Sequence, residues 1–148
     1  MGYPKRSADK TYLFQYLICD NLEPSNYFKI FVSAVERQLR YARSLRTKVL
    51  SSRGTRYPHT FKNKDELDLS IPGSGPWQEF PLHKSLNFEN GDKPGPARVI
   101  YTALGYDVVY HNPSKKKRGM QTNGAANKVD DFVKARRVSR RANRRGSV

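Results

Sequence analysis

The chain changes its hydrophobic period once, and that change restricts the folds open to it. Over residues 27–46 the apolar positions Tyr27, Ile30, Phe31, Ala34, Val35, Tyr41, Ala42 and Leu45 recur at three- and four-residue spacing, the repeat of one buried helical stripe. From Thr55 onward the pattern becomes short apolar runs over residues 57–61, 67–71, 77–82, 97–101 and 107–110. Gly and Pro cut these runs apart at 72–76, 90–96 and 104–105, as expected of strands joined by turns. A further strand is expected over residues 11–19, rich in Tyr, Leu, Phe and Ile. Residues 20–26 read as a turn that ends in capping side chains. One helix followed by an antiparallel run of strands predicts an α+β fold, with the helix across one face of the sheet and the other face polar and concave.

At 148 residues the chain has the length of one domain with one modest core. Its net charge of +15 points to a polyanionic partner, nucleic acid or an anionic membrane surface. No apolar run approaches the roughly 20 residues needed to span a bilayer, and no membrane partner is expected. The apolar stretch over residues 12–19 is interrupted by Gln15, lacks a small-residue cleavage site and reads as a strand, not a signal peptide. The single cysteine, Cys19, excludes an intramolecular disulfide and reads as a small core residue. The expected organisation is a flexible N-terminus over residues 1–10, a globular domain over 11–133 and a disordered basic tail over 134–148. A second basic cluster is Lys115-Lys116-Lys117-Arg118. Arg37, Arg40, Arg43 and Arg46 recur every third residue, which fits a solvated helix face and a nucleic-acid backbone contact equally well.

Five side chains at strand-like positions carry chemistry. Tyr57 and His59, two residues apart, share one face of a strand, and Pro58 between them suits an edge or a strand end. Glu79, Arg98 and His111 follow. Cleavage of RNA by its own 2′-hydroxyl requires a base for the 2′ proton, an acid for the departing 5′ oxygen and donors for the charge gathering at phosphorus. A carboxylate, two imidazoles, a guanidinium and a phenol suffice without metal or cofactor. Taken singly, each histidine reads as an ordinary partly buried residue and Arg98 as the partner of a sheet carboxylate. Metal-ligand clusters, a Ser-His-Asp arrangement in motif context and a phosphate-cradling Gly loop are not found.

These residues stand in motifs that resemble the fungal guanyl-specific ribonucleases and, within that superfamily, the ribotoxins. The matching pieces are Tyr57-Pro58-His59, Glu79-Phe80-Pro81, Pro94-Gly95-Pro96-Ala97-Arg98-Val99-Ile100-Tyr101-Thr102, His111 at a strand end, and Asp131-Phe132-Val133 as a closing strand. The resemblance implies a metal-independent endoribonuclease that acts as a monomer on single-stranded RNA, cutting after guanosine. Glu79 would be the general base, His111 the general acid and His59 an imidazolium that assists or shares the base role. Arg98 and Tyr57 would stabilise the phosphate in the transition state, with Phe132 packed against it. Guanine would be read by the segment Phe61, Lys62, Asn63, Lys64 and Asp65, through backbone groups and one carboxylate. Lys64 stands where an aromatic lid is common, and the carboxylate is the shorter Asp65, or Glu66 one place on. Ala135 occupies the place expected of a cysteine partner to Cys19, although the resemblance implies secretion. Ribotoxin-like cleavage of ribosomal RNA and a non-catalytic RNA- or ribosome-binding role on the same fold are the alternatives.

Overall fold

The computed structural model describes residues 13–20, 22–111 and 132–139. The expected loose N-terminus over 1–10, the Lys115–Arg118 cluster and residues 140–148 lie outside the described residues. No helix among the described residues is long and apolar enough to cross a membrane.

Strand β1 (Phe14–Ile18) runs into Cys19, which adopts a left-handed backbone with φ +62° and turns the chain back. A 3-10 turn (Pro24–Asn26) follows, then β2 (Phe28–Phe31), which pairs antiparallel with β1 from Ile18 opposite Phe28 to Gln15 opposite Phe31. The helix α1 begins only at Val32 and ends at Ser44. The sequence reading, which opened the helix at Tyr27 and ran it to Arg46, is corrected at both ends. Tyr27 to Phe31 fits either period, because its aromatic and β-branched residues suit a strand as well as a helix, and the free edge of β1 decides the matter. Within α1 the buried residues are Val32, Val35, Gln38, Leu39 and Ala42, one stripe at helical spacing. Gln38 is fully buried but satisfied. Its Nε2 donates to the His83 carbonyl (2.7 Å) and its Oε1 accepts the His83 N–H (3.0 Å), which ties the helix to the end of β6 (Trp77–Leu82).

The central element is a five-stranded antiparallel meander: β5 (His59–Phe61), β6, β7 (Ala97–Thr102), β8 (Gly105–His111) and β9 (Phe132–Lys134). Alternation along its strands separates two faces. Phe80, Leu82, Ala97, Val99, Val108 and Tyr110 point to α1 and join its stripe in the main core. The partners across the ladders, His59 with Glu79, Pro81 with Arg98, Arg98 with Val109 and His111 with Phe132, lie on the other face. That face also carries a second small core of Phe61, Ile71, Ile100, Val109 and Phe132. One helix on antiparallel sheet is the expected α+β architecture.

Two expectations change. Residues 67–71 are not a strand: they cross the second face as a loop that buries Ile71 and packs Leu67 and Leu69 against the small core. Side chains, not a neighbouring strand, satisfy its backbone. Asn63 accepts the Leu67 N–H and donates to the Leu67 carbonyl, and Asp107 Oδ2 accepts the Ser70 N–H (2.8 Å). The domain also does not end at residue 133. Lys134 closes β9, Ala135 is buried, and β10 (Arg136–Ser139) pairs antiparallel with β1. Asp20 holds that strand, its Oδ2 accepting from Arg136 Nε (3.1 Å) and Nη2 (2.9 Å) while its Oδ1 accepts from the Tyr110 hydroxyl (3.2 Å). A run of basic residues reads as unfolded only when no strand edge and no half-buried carboxylate await it. The arginines of α1 divide in the same way. Arg37 donates to Asn87 Oδ1 and to the Ser85 carbonyl, and Arg43 to the Thr102 carbonyl (2.6 Å), so both tie the helix to neighbouring turns.

Candidate active site

Two short strands bring the first pair to the site. β4 (Arg56–Tyr57) pairs with β3 (Val49–Leu50), and the chain passes through Pro58 into β5, which pairs with β6. Tyr57 and His59 therefore belong to different sheets, yet their rings lie together, with centroids 4.7 Å apart and planes tilted by 31°. His59 Nδ1 donates to the Thr60 carbonyl (3.0 Å) and stands 3.8 Å from Glu79 Oε1. A carbonyl can only accept, so this contact puts the proton on Nδ1.

Glu79 and Arg98 are 6% and 5% exposed, and such burial is tolerated because each compensates the other. Arg98 Nε donates to Glu79 Oε2 (3.2 Å) and Nη2 to the Tyr57 hydroxyl oxygen (3.4 Å). Nη1 donates to the carbonyls of Gly95 (2.7 Å) and Ala97 (3.0 Å). Gly95 sits at φ +71°, where glycine is favoured, and this lets the Pro-Gly-Pro turn present its carbonyls to the guanidinium. The same turn holds the far side of the site, where the His111 N–H donates to the Pro96 carbonyl (2.9 Å). The His111 imidazole stacks on Phe132, with centroids 4.0 Å apart and planes at 29°.

These side chains open onto one cleft of about 380 Å³, lined by Tyr57, His59, Glu79, Arg98, His111 and Phe132 together with Thr55, Thr60, Lys62 and Lys64. All five residues singled out for chemistry are brought together, and Phe132 joins them. Of the segment expected to read a base, Lys62 and Lys64 line the cleft and the other three do not. Phe61 is buried beneath it, edge-on to Phe132 at 5.5 Å. Asn63 closes its own turn on Leu67, and Asp65 Oδ2 accepts the Phe132 N–H (2.9 Å). Larger clefts exist, of about 740 Å³ beside Arg37 and His83 and about 540 Å³ beside Tyr106. In the first of them His83 Nε2 and Arg37 are both engaged with loop carbonyls.

Residues 24–123 match the ribonuclease family model. The chain belongs to the ribonuclease family. Among similar proteins, guanyl-specific ribonuclease U1 of Ustilago sphaerogena is 43% identical over 47 residues, 32% of this chain and 45% of the relative. The extracellular guanyl-specific ribonuclease Fl1 of Gibberella baccata is 41% identical over 46 residues, 31% of this chain and 41% of the relative. Each match thus spans less than half the length of the relative. Seen as a ribonuclease-family site, the cleft has neighbours that the sequence reading missed. Thr55 and Thr60 line it. Outside it, bordering the cleft beside Tyr106, Asp107 with Lys134 pins the loop over the second face: Lys134 Nζ lies 3.2 Å from Asp107 Oδ2 and donates to the Asp68 carbonyl (2.6 Å) and Ser70 Oγ (3.1 Å). The available signal was an acid, Asp107, inside an otherwise apolar strand, where an unpaired carboxylate is costly.

Proposed function

We propose that this protein is an endoribonuclease that cleaves single-stranded RNA without a metal ion, preferentially after guanosine. The reading rests on one observation: a carboxylate, a guanidinium and two imidazoles converge on a single cleft of one sheet face. Glu79 takes the 2′-hydroxyl proton, and the 2′ oxygen attacks the adjacent phosphorus. His111 protonates the departing 5′ oxygen, leaving a 2′,3′-cyclic phosphate and a free 5′-hydroxyl. Negative charge gathering on the phosphoryl oxygens is met by Arg98, Tyr57 and His59 as an imidazolium, all held in place before substrate arrives. His59 Nδ1 faces Thr60 and Glu79, so Nε2 is the nitrogen available to the phosphate.

Preference for guanosine is supported by the likeness to two relatives whose names call them guanyl-specific. Edge-reading of an unpaired base is the usual mode on single-stranded RNA, and Lys62 and Lys64 add charge along the cleft that favours any RNA backbone. The likeness to an extracellular relative extends the reading to a secreted enzyme.

The test is cleavage of GpC, ApC and 2′-deoxyguanosine-containing GpC in excess chelator. The expected result is a cyclic guanosine phosphate from GpC, slower cleavage of ApC and none of the deoxy substrate. Binding of RNA with no cleavage under any condition overturns the reading in favour of a non-catalytic RNA-binding role. Incubation with intact ribosomes in the same buffer tests ribotoxin-like action: one discrete fragment, not general degradation, is its mark.

A further inference from the structure

We infer that the groove beside the C-terminal end of α1 binds an unpaired nucleotide on the 5′ side of the scissile bond; the inference rests on the ribonuclease reading of the cleft. This groove, of about 530 Å³, is walled by Arg43, Leu45, Pro58, Pro76, Gln78 and Tyr101. The sheet register joins it to the catalytic cleft. Thr60, Gln78 and Tyr101 stand directly across from one another on β5, β6 and β7, and so share one face. Thr60 lines the cleft, and the other two line the groove. β5 is an edge strand of this sheet, and strands lie about 4.8 Å apart, so the groove is within reach of the next nucleotide. In the proposed mechanism Glu79 on β6 takes the 2′ proton and His111 on β8 meets the leaving oxygen. The attacking nucleoside therefore lies toward β5 and the departing one toward β9, which places the groove on the 5′ side.

The lining suits a base and its phosphate. Pro58 and Pro76 present flat apolar surfaces, and the Arg43 guanidinium lies over the Tyr101 ring, 5.7 Å from its centroid. Ring faces and guanidinium planes are the surfaces on which unpaired bases stack. Gln78 is half-buried and its amide makes no hydrogen bond among the described residues, so a donor and an acceptor are open to a base edge. Arg43 donates to the Thr102 carbonyl through Nη2 and is otherwise exposed. Arg46, exposed next to Leu45, has no carboxylate partner among the described residues. Charge separates this groove from the two larger clefts. Among the described residues no acid lines the groove, whereas Glu89 and Asp92 line the first of those clefts and Glu36 and Asp107 the second. A flat ligand that carries a phosphate is favoured here and opposed there.

The experiment measures kcat/KM of the full chain on GpC, on GpC carrying two 2′-deoxyadenosines on its 5′ side, and on GpC carrying them on its 3′ side. The 5′ extension is expected to raise kcat/KM by about 10-fold, toward the lower end of what one stacked base contributes, and the 3′ extension by less than about 3-fold. In Gln78→Ala and in Arg43→Gln the ratio of 5′-extended to unextended kcat/KM is expected to fall below about 3-fold. A ratio cancels any general loss of activity in either variant. A sugar lacking its base in place of each deoxyadenosine should lose most of the gain. The proposal is overturned if either variant keeps the wild-type ratio, if the 3′ extension gives the same gain, or if the extension without bases retains it. Affinity for the all-deoxy forms of the three oligonucleotides, which have no 2′-hydroxyl to attack, is measured beside the rates. A preference for the 5′ extension that Gln78→Ala removes establishes the groove as a nucleotide site even if the wild-type protein cuts no RNA. That failure by itself would remove the ribonuclease reading.

Discussion

Glu79 and Arg98 form a buried pair, Nε to Oε2 at 3.2 Å, from neighbouring strands displaced by two positions in register. Arg98 lies directly across from Pro81, so the pair is diagonal on one sheet face, within the reach of a long side chain. In the proposed mechanism the group that meets the substrate phosphate also neutralises the group that takes the proton. Neither can be altered without disturbing the other.

Removing the acid or the base should affect chemistry and spare binding. Glu79→Gln and His111→Gln are each expected to lower kcat by about 10²- to 10⁴-fold. The wild-type rate should rise as a carboxylate ionises and fall as an imidazolium loses its proton. Glu79→Gln should abolish the acidic limb and His111→Gln the basic limb. A pH–rate profile for each variant, with RNA affinity measured separately, checks both assignments.

Arg98→Lys should be far from conservative. The planar guanidinium serves Glu79, Tyr57 and the carbonyls of Gly95 and Ala97 at once, and an ammonium cannot reproduce that fork. Buried acceptors left unpaired cost about 1–3 kcal/mol each, so the variant should lose stability as well as activity. Urea unfolding beside GpC turnover measures the two losses. Full activity in Arg98→Ala would show the residue to be purely structural.

The C-terminal arginines should divide at Ser139. Deleting residues 140–148 removes four arginines but no residue of β10, and is expected to weaken binding to long RNA and to lower its salt dependence, by about 0.7 in slope per lost phosphate contact. Turnover of GpC should not change. Deleting residues 136–148 removes β10 and the Arg136 contacts to Asp20 as well, and should lower the melting temperature. Equal melting temperatures for the two deletions would contradict this division.

Tyr110 should make the fold sensitive to alkali. Burial of its phenol, and then the Asp20 carboxylate beside it, pushes the pKa up to about 12. An unfolded tyrosine ionises near about 10, so between these values the unfolded chain releases a proton that the folded chain keeps. The stabilisation is complete below pH 10 and is lost as the pH rises toward 12. Tyr110→Phe should cost about 1 kcal/mol at neutral pH through the lost hydrogen bond and give a shallower decline in alkali. Tyr101, also raised to about 12, keeps that decline from vanishing. Denaturant midpoints from pH 8 to pH 11.5 test this.

Local pattern was enough for much of this protein. The alternation and punctuation after Thr55 showed a strand meander, the stripe before Arg46 showed one helix, and Tyr57, His59, Glu79, Arg98 and His111 stood out as residues of one chemistry. Such features are legible because periodicity and turn chemistry act over a few residues and do not depend on what lies across the fold.

The remainder was decided by partners distant in the chain. Residues 28–31 became β2 because β1 offered an edge. Residues 67–71 stayed a loop because Asp107, 37 positions on from Ser70, accepted the Ser70 N–H. Arg136 entered a strand because Asp20 and β1 were there to receive it. Asp65 turned to Phe132, 67 positions away. In each case the local pattern of the segment is compatible with more than one conformation. A strand pairing, hydrogen bond or ion pair from another part of the chain selects between them.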